Sequence, residues 1–180
     1  MKKYLLSITA ALVFLFPTHA DELERGYRGF LDWDTDFFFS EYNSYTPSGY
    51  EHHKEIEADL GVITSHGFQF NKHFFLGGGL GYEISTDSYR HTRIPVFVHG
   101  RTDWTLKGFP VYADLRIGAM LSGGETDRGL FVSPTVGYRW DWGKSICANF
   151  GVGVIMHCVN DWSNHYTWHP RPAFRFGIEF

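Results

Sequence analysis

Apolar and polar residues alternate with a period of two through eight stretches of this chain, and in each stretch one of the two faces carries no charge. From Phe109 the series Phe109, Val111, Ala113, Leu115, Ile117 and Ala119 alternates with Tyr112, Asp114, Arg116 and Gly118. The split recurs at Leu130, Val132, Pro134, Val136, Tyr138 and Trp140 against Ser133, Thr135, Gly137 and Arg139, and at Ala148, Phe150, Val152 and Val154 against Cys147, Asn149, Gly151 and Gly153. Toward the C-terminus Pro172, Phe174, Phe176, Ile178 and Phe180 stand against Arg171, Arg175, Gly177 and Glu179. Earlier stretches follow the same rule: Leu31 to Phe37 against Asp32, Asp34 and Asp36; Ala58, Leu60 and Val62 against Glu57 and Asp59; Phe74 to Ile84 against Gly77 to Glu83; Ile94, Val96 and Val98 against Arg93, His99 and Arg101. Helices need periods near 3.6, so the pattern predicts eight β-strands.

Alternation alone fits a soluble sandwich or a lipocalin-like carrier of an apolar ligand, whose apolar face turns inward. The composition of the two faces points the other way. The polar face interleaves Asp, Arg and Glu with glycine, as a narrow lumen requires, and the apolar face is aromatic at its strand ends, as a lipid-facing band with interfacial girdles requires. A charge on such a face costs about 2–4 kcal/mol at mid-bilayer, and these faces carry none. Short links are predicted at Gln69 to His73, Asp103 to Gly108 and Asp141 to Lys144, and longer polar ones at Ser40 to Glu55, Ser85 to Thr92, Ser122 to Asp127 and Val159 to His169. That rhythm of short and long connections predicts an all-β chain, an eight-stranded antiparallel up-and-down transmembrane β-barrel.

Residues 1–20 read as a secretory leader, with Lys2 and Lys3 ahead of an apolar run from Leu5 to Phe16 that ends at Pro17, Thr18, His19 and Ala20. That run of roughly a dozen residues falls short of the roughly 20 a spanning helix needs. Cleavage after Ala20 is expected to leave a single barrel domain, residues 21–180. Loss of Lys2 and Lys3 takes the net charge from −4 to −6, which gives nucleic acid no electrostatic hold. Cys147 and Cys158 lie on one predicted strand roughly 35 Å apart, so no bridge between them is expected. The histidines after His19 make no metal-ligand spacing and are expected in solvated loops; no metal and no cofactor is implied.

The exported N-terminus, the eight segments and the final strand Phe174-Arg175-Phe176-Gly177-Ile178-Glu179-Phe180 resemble the small outer-membrane barrels related to outer membrane proteins A and X. The resemblance implies a location in the cell outer membrane, contact with its lipid and lipopolysaccharide, and a terminal strand read by the barrel-assembly machinery at Phe174, Phe176, Ile178 and Phe180. The chain is expected to end at the barrel, without the peptidoglycan-binding domain of full-length outer membrane protein A. On fold and size the resemblance reaches structural anchors, adhesins and small enzymes alike.

Two ionic clusters are predicted in the lumen. Asp32, Asp34, Asp114, Arg116 and Arg175 should share one height, and Arg101, Arg139 and Glu179 should meet near the periplasmic mouth. A buried charge without a partner costs several kcal/mol, so these groups are expected to pair and plug the barrel; the sharper alternative is a gate for small ions. A lipid-modifying enzyme would need a nucleophile beside its base. The nearest sets are Ser88 with His91 and Ser163 with His165 and Asp161, and neither matches a lipid A deacylase or acyltransferase motif. Tyr42, Tyr45, Tyr50, Trp162, Tyr166 and Trp168 gather in the predicted outer loops, where exposed rings serve as interface anchors or as a headgroup belt. The expected role is structural or surface-interacting, without catalysis.

Overall fold

In the computed structural model, residues 25–46, 49–86, 92–122, 129–142, 146–160 and 166–180 are described. The leader, Ser88, His91, Asp161, Trp162, Ser163 and His165 lie outside them. Eight strands follow in order: β1 (Gly26–Thr46), β2 (Gly49–Asn71), β3 (Phe74–Ser85), β4 (Thr92–Leu106), β5 (Phe109–Ser122), β6 (Gly129–Trp142), β7 (Ile146–Asn160) and β8 (Tyr166–Glu179). Each pairs antiparallel with its sequence neighbour, and β8 pairs with β1, so the sheet is a closed barrel.

One row of register partners fixes the barrel's stagger. It runs from Gly26 through Gln69, Phe75, Arg101, Asp114, Thr135, Gly153 and Ala173, and returns to β1 at Asp36, ten residues beyond its start. Eight strands with that offset tilt by roughly 40° and enclose only enough width for side chains to fill.

Three expected links shrink. β1 and β2 run into the predicted Ser40 to Glu55 loop until only residues 47–48 separate them, and β7 and β8 extend into the predicted Val159 to His169 loop. Tyr42, Tyr45, Tyr50, Tyr166 and Trp168 therefore stand on strand backbone rather than in loops, because these polar runs lack the apolar phase by which alternation marks a strand. Asp103 to Leu106 is also strand. The β4–β5 turn is only Lys107 and Gly108, with φ of 50° and 88°. Two consecutive positive φ values make the type I′ turn that suits strand twist, and glycine takes the second place without strain. Asn71 closes the β2–β3 turn by accepting the N–H groups of His73 at 2.8 Å and Phe74 at 3.0 Å.

The faces are oriented as their composition predicts. Leu115, Val152 and Phe176 are 41%, 52% and 50% exposed, whereas their neighbours Arg116 and Arg175 are 1% and 5% exposed. That inversion excludes a soluble carrier with an apolar core. On β3 the outward apolar series runs from Phe74 to Ile84; ten strand steps tilted by roughly 40° give about 25 Å, the height of a barrel's apolar band. Tyr27, Phe68, Phe70, Phe74, Trp104, Phe109 and Trp140 stand outward and exposed at the end that carries the two-residue turns.

Inward glycines make room for the lumen's large side chains. A Cβ on Gly137 would lie 2.5 Å from the Tyr112 ring, and one on Gly79 would lie 2.5 Å from the Phe97 ring. The interior is not wholly polar: Ile63, Phe97, Met120 and Phe131 form an apolar cluster inside it.

Candidate functional site

Period-two alternation points a side chain at the axis, and the ten-residue stagger decides which inward side chains share a height. Together they sort the charged residues into three tiers.

The middle tier holds the first predicted cluster. Arg175 on β8 bonds Asp34 on β1 through Nε at 2.8 Å and Nη2 at 2.9 Å, and bonds Asp114 on β5 through Nη1 at 2.7 Å and 2.9 Å. Its Nη2 also reaches Ser133 Oγ at 3.2 Å. Arg116 bonds Asp32 and, at 3.4 Å, Asp34. Two guanidiniums therefore serve three carboxylates, with bidentate geometry that fixes both partners.

The tier at the turn end contains the second predicted group and more. Glu179 receives Arg28 at 2.6 Å, Arg139 at 3.3 Å and Arg101 at 3.5 Å. Sequence reasoning missed Arg28, Gln69, Asp103 and Asn149, which complete this tier. Arg28 Nη1 donates to Gln69 at 2.6 Å and Asp103 at 2.8 Å, and Arg101 Nη2 donates to Asp103 at 2.8 Å and Asn149 at 3.0 Å. The Arg101 guanidinium also lies over the Tyr112 ring at 3.9 Å, so the aromatic and ionic fillings interlock. Cys147 accepts from Arg139 Nη2 at 2.8 Å; Cys147 and Cys158 are both free thiols.

The tier at the loop end was not foreseen as a cluster. Arg171 bonds Asp59 and, at 3.3 Å, Asp36, while Arg93 bonds the same Asp59. Its residues had been read as inward-facing, but their common height depends on the stagger, which alternation does not reveal.

Histidine corrects the sequence reading most plainly. His99 and His157 are 0% and 5% exposed inside the barrel, not in solvated loops. The parity of their strands carried that signal, since His99 alternates with Val96 and Val98. His99 Nδ1 lies 2.8 Å from Ser65 Oγ, and its Nε2 lies 3.8 Å from Asp114. The trio has the residue types of a nucleophile, base and acid. Ser65 is itself 0% exposed and Asp114 is held by Arg175, so the trio gives a substrate no approach. Among the described residues no group of three His, Cys, Asp or Glu is placed to hold a metal ion.

Phe174, Phe176 and Ile178 lie on the outward face of β8 and Phe180 directly follows it, with Phe174 and Phe176 56% and 50% exposed. Of the predicted interface rings, Trp168 is exposed on β8 at its loop end.

No protein-family model and no curated protein matches the chain. Among solved structures it is similar to a KdgM porin, at 13% identity and a TM-score of 0.36, over 84% of this chain and 98% of that one.

Proposed function

We propose that the protein is an integral barrel of the bacterial outer membrane, of the kind to which outer membrane proteins A and X belong, with a shut lumen and a structural or surface-interacting role. The observation that carries this reading is the inversion of its faces: buried ion pairs at the axis and an uncharged apolar band outside. Lipid and lipopolysaccharide are then its solvent, and the outward apolar series ending at Phe180 is the segment offered to the barrel-assembly machinery after export. The tiers support a plug rather than a pore, because eight strands leave room only for side chains and three stacked tiers of Arg and carboxylate occupy it. No catalysis and no cofactor belong to this reading.

A specific observation favours contact with an extracellular ligand over a purely structural role. Pairing between β1 and β8 ends at Asp36, and register pairing between β2 and β3 ends at Asp59, yet β1 and β2 pair onward to Thr46 and Gly49. The two strands project past the closed wall as a ribbon whose outer edges make no backbone pairing with a described strand. Unpaired strand edges are templates for another chain.

The test is heat-modifiable migration with single-channel recording on the folded protein in planar bilayers. Compact migration without conductance is expected; a steady conductance from the compact form overturns the plug. Shortening the ribbon to an Asn-Gly turn should leave folding intact and abolish surface adhesion.

A further inference from the structure

The ladder that closes the barrel stops at a feature of the sequence. Gly29 and Phe180 exchange both backbone bonds, Gly29 N–H to Phe180 O at 2.8 Å and Phe180 N–H to Gly29 O at 3.0 Å. Such doubly bonded positions recur at every second residue of an antiparallel pair, so Ile178, Phe176 and Phe174 also aim their N–H groups at β1. The next two residues of that series are Pro172 and Pro170, which have no N–H to offer. Pairing of β8 with β1 ends accordingly at Ala173 and Asp36, although β8 pairs with β7 as far as Tyr166. Beyond that point the described contacts across the seam are between side chains. Arg171 lies over the Phe38 ring at 4.8 Å, Phe38 meets His169 at 6.4 Å, and Phe37 meets Phe174 at 6.0 Å.

Two buried nitrogens without hydrogen-bond partners stand behind this stretch, the donor Arg171 Nε on β8 and the imidazole Nε2 of His157 on β7. His157 is 5% exposed, and its register partner is His169 at the seam. Outside, an apolar groove lies against the paired part of the seam just below this stretch, lined there by Trp33, Thr35, Val152, Phe174 and Phe176. Orphaned nitrogens inside the unpaired stretch and an apolar bed outside that starts directly below it suit a molecule with one polar end and one hydrocarbon end.

We propose that the upper β1–β8 seam is a lateral port and binding site for a single-chain amphiphile from the surrounding hydrocarbon. Its head presents oxygen acceptors, as a carboxylate or ester does, to Arg171 Nε and to His157 in its Nε2–H tautomer, while its chain lies in the groove. A cationic head is the poorer fit, because it has no acceptor for Arg171 Nε and leaves that donor unpaired. Glu83 Oε2 is an unpartnered buried acceptor on β3, and it is the atom a cationic head would seek instead. The proposal rests on the membrane reading of the exterior and goes beyond it.

The protein is refolded into phosphatidylcholine vesicles and titrated with pyrene-labelled dodecanoate, with energy transfer from tryptophan as the readout. Saturable binding of the carboxylate is expected, and binding about tenfold weaker for the pyrene-labelled dodecylammonium of equal length. His157→Phe, which removes the imidazole, should weaken the carboxylate by about tenfold. Pro170→Val with Pro172→Val restores two ladder donors and should abolish saturable binding. Should that variant not fold, Phe37→Cys with Pro172→Cys, in a chain carrying Cys147→Ser and Cys158→Ser, shuts the seam by oxidation and reopens it by reduction. Binding lost on oxidation and regained on reduction supports the port. Equal binding of both heads, or binding indifferent to the shut seam, overturns it. Failure of the protein to insert overturns the membrane reading with it, whereas an inserted protein that binds no carboxylate overturns the port alone.

Discussion

Asp34 and Arg175 are register partners across the β1–β8 seam and are also joined side chain to side chain, by two bonds of 2.8 Å and 2.9 Å. The same guanidinium crosses the lumen to Asp114 on β5, so one residue ties the closing seam to the opposite wall. Removing it would leave carboxylates buried without compensation.

Arg175→Met is therefore expected to cost about 3–5 kcal/mol of folding free energy in lipid vesicles. Adding Asp34→Asn and Asp114→Asn should recover much of that loss, since the penalty comes from unpaired charge rather than from missing volume. Urea unfolding of the three forms checks it. A triple variant as unstable as the single one contradicts the account.

The inward glycines should be intolerant in proportion to what lies over them. Gly137→Ala places a methyl 2.5 Å from the Tyr112 ring and against the Phe150 carbonyl, and should destabilise by about 1–3 kcal/mol. A Cβ at outward Gly100 meets nothing within 4 Å, so Gly100→Ala should be neutral or stabilising by about 0.5–1 kcal/mol. Unfolding midpoints of the two variants should move in these opposite directions.

Amide exchange should mark the end of the closing ladder. Leu31, Trp33 and Thr35 occupy the doubly bonded positions facing β8 and should be protected, whereas Phe37 and Phe39 face Pro172 and Pro170 and should exchange much faster. Equal protection at Trp33 and Phe39 would mean that the seam is bonded along its length.

Much of this architecture was legible in the chain because a period of two has only two phases. Once Leu115 and Arg116 were assigned to opposite faces, every inward side chain of that strand followed, and the large difference in cost between a charge in hydrocarbon and a charge in an ionic lumen fixed which face was which. The middle tier followed because Asp34 and Arg175 sit at comparable distances from Leu31 and Phe180, the ends of the first and last alternating stretches of the sequence. Arg93, Asp59 and Arg171 were each readable as inward, but their meeting depends on a stagger that is a property of the closed sheet. Arg28 and Asp103 were missed because they stand where the apolar alternation gives out at the strand ends, so the polar segment Asp103 to Gly108 reads as a turn although both side chains are buried. His99 shows the opposite failure, where residue type was allowed to outweigh the parity of its strand.

An arginine on the outer face should behave unlike one at the axis. Leu115→Arg puts a cation in the apolar band and should cost about 2–4 kcal/mol in vesicles, although Arg116, one residue away, is part of what holds the barrel together. A cost near zero would place that face in water.

The most direct measurement is the accessibility of single nitroxide labels at Leu115, Val136 and Val152 in a chain carrying Cys147→Ser and Cys158→Ser, inserted in a bilayer. Relaxation by oxygen, which concentrates in hydrocarbon, should be strong and relaxation by a water-borne nickel chelate weak at all three positions. Strong relaxation by the chelate and weak relaxation by oxygen would show that this face meets water, and the membrane barrel would be refuted.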